Sequence, residues 1–181
     1  MNLPENQEPE WIYKISGDDS ARFVLGEKGN NMIACIGLNP GQARPGDLEG
    51  TLSFVKRIAN FNGYDGWVMY NVYPQRATNP KNIHHQFDKD LIKENINIIR
   101  SSLLDLKINT IWLAYGDLIE SRRLFKPSMI ELYEVLKDLE LEWKIISTPT
   151  KKGHPRHPLY KPTKSLLYHF EMEEYARKLL L

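Results

Sequence analysis

The most constraining feature of this chain is an apolar run that stops abruptly: Met32-Ile33-Ala34-Cys35-Ile36-Gly37-Leu38 leads straight into Asn39-Pro40-Gly41. β-Formers without polar alternation predict a strand covered on both faces. Pro40 fixes its own φ and Gly41 is free to take a positive one, so the strand must end in a turn. Such a strand delivers the Asn39 side chain and a bare loop backbone to one edge of a sheet.

Three more apolar runs behave alike. Residues 66–72 lead into Tyr73-Pro74-Gln75-Arg76-Ala77-Thr78-Asn79-Pro80, residues 110–115 stop at Gly116-Asp117, and residues 143–147 lead into a proline-rich loop over 148–160. Between them the spacing predicts helices over 51–60, 88–104 and from Ser128 to Leu139, the last opened by a Ser128-x-x-Glu131 capping box, with a short helix over 118–124. Residues 11–15 and 21–25 read as a hairpin at the sheet edge, and a final helix capped by Thr163 is expected to run through Leu166, Leu167 and Phe170. Four strands alternating with helices predict a three-layer α/β/α sandwich with a four-stranded parallel core sheet plus an N-terminal β-hairpin. In such a sheet every strand ends on the same edge, where ligands of these folds bind. The loops with unusual chemistry all follow strand ends.

Bulk properties narrow the class. The 181 residues are 41% hydrophobic, enough for one domain over 1–181, with residues 1–10 polar and expected to be flexible. With 24 Lys+Arg against 23 Asp+Glu, a globally basic nucleic-acid coat is excluded, a local basic patch is not. The one cysteine, Cys35, excludes an intrachain disulfide and suits a reducing compartment. No apolar run reaches the ~20 residues of a membrane span, and the start is not a signal peptide. A cytoplasmic protein without cofactor, metal or membrane partner is expected, its oligomeric state unspecified.

The candidate site residues come from the strand-end loops. Asn39 offers a positioned amide, and Pro40, Gly41 and Gln42 offer loop backbone for a water or an anion. Asn71 sits at a buried strand end, where an amide needs a partner. Arg76 suits bidentate contact with phosphate or carboxylate, with Tyr73 and Thr78 beside it. His154-Pro155-Arg156-His157-Pro158-Leu159-Tyr160 packs two imidazoles and a guanidinium into a stiff loop, and residues 143–170 carry Lys144, Lys151, Lys152, Arg156, Lys161 and Lys164 with no Asp or Glu. Asp117 either orients an imidazole or caps the next turn. The chain has no G-x-G-x-x-G, no phosphate-loop Gly-Lys-Ser/Thr and no Gly-x-Ser-x-Gly elbow, which disfavours dinucleotide redox chemistry, NTP hydrolysis and α/β-hydrolase chemistry.

Two resemblances rest on these motifs. Leu38-Asn39-Pro40, Asn71-x-Tyr73-x-x-Arg76-Ala77-Thr78-x-Pro80 and Pro155-Arg156-His157-Pro158-Leu159-Tyr160 resemble an uncharacterised domain-of-unknown-function family of bacteria and phages. Pro40-Gly41-Gln42 departs from that family's usual Pro-Ser-Thr. More distantly, Gly37-Leu38-Asn39-Pro40-Gly41 and His154-Pro155-Arg156-His157-Pro158-Leu159 are similar to the first-strand and last-strand motifs of the uracil-DNA glycosylase superfamily, the former to its mismatch-specific branch. That likeness implies a glycosylase-like fold and hydrolysis of the N-glycosidic bond of a modified base, with Asn39 placing the water and His157 or His154 supporting the leaving base. Arg76, Arg156, Lys151 and Lys152 would hold phosphates, and Tyr73 or Tyr160 would stack on the base. The alternatives are a non-catalytic nucleotide or nucleic-acid binder, and a hydrolase of another phosphate-bearing small molecule.

Overall fold

The computed structural model describes residues 8–48 and 50–181. The expectation of flexibility over residues 1–10 falls, for residues 1–7, outside the described residues.

The fold is mixed α/β, with four helices and a seven-stranded sheet. Its strands are β1 (Trp11–Ile15), β2 (Arg22–Glu27), β3 (Met32–Gly37), β4 (Gly66–Asn71), β5 (Thr110–Leu113), β6 (Glu142–Ile146) and β7 (Leu167–His169), and its helices α1 (Thr51–Phe61), α2 (Lys89–Asp105), α3 (Phe125–Leu136) and α4 (Met172–Leu179). The order across the sheet is β1-β2-β4-β3-β5-β6-β7. β4, β3, β5 and β6 pair in parallel, whereas β1 and β2 at one edge and β7 at the other pair antiparallel.

Side-chain alternation divides the core into two layers. Ala34, Ile36, Val68, Tyr70, Ile111 and Leu113 pack toward residues of α2, α3 and α4. Ile33, Cys35, Trp67, Met69, Trp112 and Ala114 pack toward Leu52, Val55, Ile58 and Ala59 of α1. The burial of both faces is the physical reason for the unbroken apolar runs. α2 starts where Asp88 accepts hydrogen bonds from the Asp90 and Leu91 N–H groups.

Three local expectations are corrected. The final segment is not one helix capped by Thr163: Leu167–His169 pairs with β6, and helix begins only at Met172. This strand gives the ladder groups of β6 partners, and α4 then opens with Glu173 and Glu174 and closes with Arg177 and Lys178, the polarity a helix dipole favours. The capping box at Ser128 is not used. α3 starts at Phe125, Pro127 sits in its first turn where no N–H is required, and the Ser128 hydroxyl donates back to the Leu124 carbonyl. The short helix expected over 118–124 is a 3-10 turn over Gly116–Glu120.

Connectivity places the functional edge. From β3 the chain moves to β4 on one side, then crosses to β5 on the other, with α1 and α2 on opposite faces. The strand order therefore reverses at β3, and a crevice opens beyond the carboxyl ends of the strands at such a reversal.

Candidate functional site

A cavity of about 110 Å³ occupies that crevice. Asn39 and Pro40 enter it from the end of β3, Asn71 from the end of β4, Tyr115 from beyond β5 and His157 from the loop after β6. Arg22, the first residue of β2, also borders it. At about 30 Å³ per water, the volume corresponds to a few waters or one planar ring. A larger open groove of about 740 Å³ lies between β1 and α2, away from the strand-end loops.

The loops around the cavity are laced together. The Val72 and Tyr73 N–H groups donate to the Gly37 and Leu38 carbonyls, and the Ala77 N–H donates to the Pro40 carbonyl. Asn39 Nδ2 donates to the Ala77 carbonyl (2.9 Å) and the Pro40 carbonyl (3.3 Å). That fixes the side-chain amide and leaves Oδ1 without a partner among the described residues. The conformation of Gly116, at φ 64°, matters here: a Cβ would lie 3.3 Å from that of His157, and the Gly116 N–H donates to the Pro155 carbonyl. The turn after β5 thus carries the histidine loop.

At His157 the Leu159 N–H donates to Nδ1 at 3.1 Å. Nδ1 is therefore the acceptor of the ring and Nε2 carries the proton. Burial lowers the pKa of this imidazole from its ordinary 6.5, so at neutral pH it is an uncharged N–H donor.

His154, three residues earlier, is placed elsewhere. It is buried, its Nδ1 lies 2.9 Å from the Tyr175 hydroxyl and its Nε2 lies 3.1 Å from Glu120 Oε1. Tyr115 donates to Tyr175, and Lys152 pairs with Glu120 at 2.6 Å. Lys152 and His154 together hold the Glu120 carboxyl down to about 2. This relay pins the proline-rich loop to the 3-10 turn and to α4, with both ring nitrogens of His154 engaged.

Arg76 is likewise engaged. Its side chain is 4% exposed and contacts Asp19 (3.1 Å), the Tyr13 hydroxyl (2.6 Å) and the Gly41 and Ala43 carbonyls (2.9 and 3.3 Å). It clamps the loop after β3 to the hairpin turn and leaves no bidentate edge for a phosphate. Tyr73 is a core residue: it stacks on Phe87 with centroids 4.0 Å apart, and its hydroxyl meets His84 Nδ1 and the Asp88 N–H. Gln42 and Thr78 are exposed, and Arg156 donates to the Thr148 and Pro149 carbonyls of its own loop. Tyr160 is 86% exposed, edge-on to Phe54. Asp117 accepts from the Thr150 hydroxyl rather than from an imidazole.

The strand-end residues singled out in the sequence thus divide. Asn39, Pro40, Gly41, Asn71 and His157 share the cavity; His154, Tyr73, Arg76, Thr78, Gln42, Arg156 and Tyr160 lie outside its wall. Arg22 is the charged wall residue absent from the sequence candidates, and its signal was a lone charge inside the apolar run Ala21-Arg22-Phe23-Val24-Leu25.

Among the described residues no helix is long and apolar enough to cross a membrane, and no three His, Cys, Asp or Glu side chains are grouped to hold a metal ion. A family model described as "Protein of unknown function (DUF1643)" matches residues 22–159. No curated protein matches the chain.

Proposed function

This chain belongs to the DUF1643 family of proteins of unknown function, and on that footing we propose that its cavity hydrolyses the N-glycosidic bond of a modified base or nucleotide, on a fold of the uracil-DNA glycosylase type. One observation carries the reading: the free Asn39 carbonyl and the neutral Nε2–H of His157, 118 positions apart in numbering, border one ring-sized cavity. The four parallel strands and the order of the strand-end motifs support it.

The chemistry follows from these groups. Asn39 Oδ1 accepts a hydrogen bond from a water and aims its oxygen at C1′ of the sugar. The water oxygen bonds to C1′ as the C1′–N bond breaks, and the electron pair leaves with the base. The water's proton passes to solvent. An amide is a poor base, so the rate must come from stabilising charge on the departing ring, and His157 Nε2–H donates to the base oxygen on which that charge develops. A neutral imidazole donates without first having to be charged. Asn71 reads the ring edge. Tyr160 and Lys151, both exposed, would meet a nucleic-acid strand outside the cavity.

Asn39→Ala is expected to lower base release ~100-fold, the scale of one preorganised polar group, while thermal unfolding shows an intact fold. The assay is release of free base from uracil-, xanthine-, hypoxanthine- and alkylated-base substrates, single- and double-stranded and as nucleotides. No release by the unaltered protein across this panel sinks the reading. A second reading, binding without bond cleavage, is favoured by one observation: no Asp or Glu is among the described residues of the cavity wall. It predicts salt-sensitive binding with no product over hours.

A further inference from the structure

Arg22 is the least expected residue in the wall. It is 1% exposed, and among the described residues its guanidinium makes one hydrogen bond, Nη1 to the Ala43 carbonyl at 3.2 Å, and no ion pair. Nε is buried without a partner. A buried cation carries a large desolvation penalty, and buried charges are paired as a rule. Asp19, the carboxylate that pairs with the neighbouring Arg76, is shared between Arg76 and Arg44. Arg76 shares the same Ala43 carbonyl, so the neighbouring charge repels Arg22. Burial, then Arg76, pulls the guanidinium down to about 10, which leaves it charged at neutral pH.

A second orphan lies in the same wall. Asn71 is 1% exposed, and both its Nδ2 and its Oδ1 are buried without partners among the described residues. Its backbone carbonyl is already taken by the Asn95 side-chain amide. Among the described residues one small cavity therefore holds a positive charge without an ion-pair partner and an amide without a hydrogen-bond partner, with no acidic side chain in its wall. Groups in that state are completed by what binds there.

We propose that the cavity is an oxyanion-recognition site: Arg22 binds a negatively charged oxygen of the ligand, and Asn71 pairs with the polar edge beside it. The volume of about 110 Å³ restricts the enclosed part to one ring, so the ligand class is an acidic heterocycle or a ring carboxylate, with any sugar and phosphate outside. The assignment does not require bond cleavage. Under the glycosidic reading the same guanidinium faces the charge that develops on the leaving base.

The experiment compares the unaltered protein with Arg22→Met and Arg22→Lys by thermal shift and calorimetry. The probes are orotate, its uncharged counterpart uracil, acetate and inorganic phosphate. Orotate is expected to raise the Tm of the unaltered protein more than uracil does. Arg22→Met should weaken orotate by at least ~10-fold, the scale of one charge-assisted hydrogen bond, and Arg22→Lys by less. Without ligand, Arg22→Met should melt no lower than the unaltered protein, because it removes an unpaired charge. Acetate or phosphate binding as tightly as orotate means that the anion alone is read, which still supports the site. Orotate moving the Arg22 Nε–H resonance of the unaltered protein supports it even where both variants fail to fold. The proposal is overturned when no anion stabilises the unaltered protein, or when Arg22→Met binds orotate undiminished. Orotate binding through Arg22 without base release leaves this site standing and removes the glycosidic reading; base release unchanged in Arg22→Met does the reverse.

Discussion

The collar of loops around the cavity and the cavity wall use the same residue types in opposite states. In the collar, Arg76 meets a carboxylate, a hydroxyl and two carbonyls, and His154 has both nitrogens occupied. In the wall, among the described residues, Arg22 has one hydrogen-bond partner, Asn71 Nδ2 and Oδ1 have none, and His157 keeps Nε2–H free. An arginine or a histidine in a strand-end loop is thus not a functional residue by type. The number of its donors that the protein itself consumes separates a group that holds the fold from one that waits for a guest.

That contrast can be broken from the collar side first. Arg76→Met should lower stability by about 3 kcal/mol, because it strips Asp19 and two loop carbonyls of a buried partner, and urea unfolding reads it. An unchanged midpoint would dissolve the distinction from Arg22. His154→Phe should cost about 1–3 kcal/mol by taking the acceptor from the buried Tyr175 O–H and removing one bond to Glu120, and the folded variant should keep the activity of the unaltered protein. A selective loss of turnover at unchanged stability would move His154 into the site.

Two pH experiments sharpen the same line. The His157 pKa lies below the ordinary 6.5, so the neutral donor persists under mildly acidic conditions and the acidic limb of kcat should fall only below pH 6.5. A limb at or above 6.5 would mean that the charged imidazole is not excluded. Glu120 is the smallest effect. Its folded pKa of about 2 lies below the ordinary 4.5, so its contribution is complete above 4.5 and is lost as the pH falls toward 2. Glu120→Gln should flatten the Tm-against-pH curve in that window, melting lower than the unaltered protein near neutrality, where the carboxylate contributes, and converging with it as the pH falls toward 2.

The parallel strands and their common edge were legible in the sequence, because burial on both faces removes polar alternation and a proline or glycine marks each strand end. That Asn39 and His157 come to one edge was legible for the same reason, because both lie in loops that follow parallel strands. What stayed hidden depends on distant partners. Arg76 looks free until Asp19, which lies 57 positions earlier, is folded against it. His154 looks equal to His157 until α4 brings Tyr175 to its ring. Arg22 was passed over because one charge in a short strand is normally turned to solvent. β7 was read as helix since three residues cannot establish a period of two, and only the presence of β6 beside them decides the matter.

The short β7 has a further effect. The outermost ladder on its side is three residues long and is preceded by Pro162, which lacks a donor. An incoming chain would find too few backbone groups there to extend the sheet. β1 closes the opposite margin with a five-residue antiparallel strand. The four parallel strands are thus insulated laterally by short antiparallel margins on both sides.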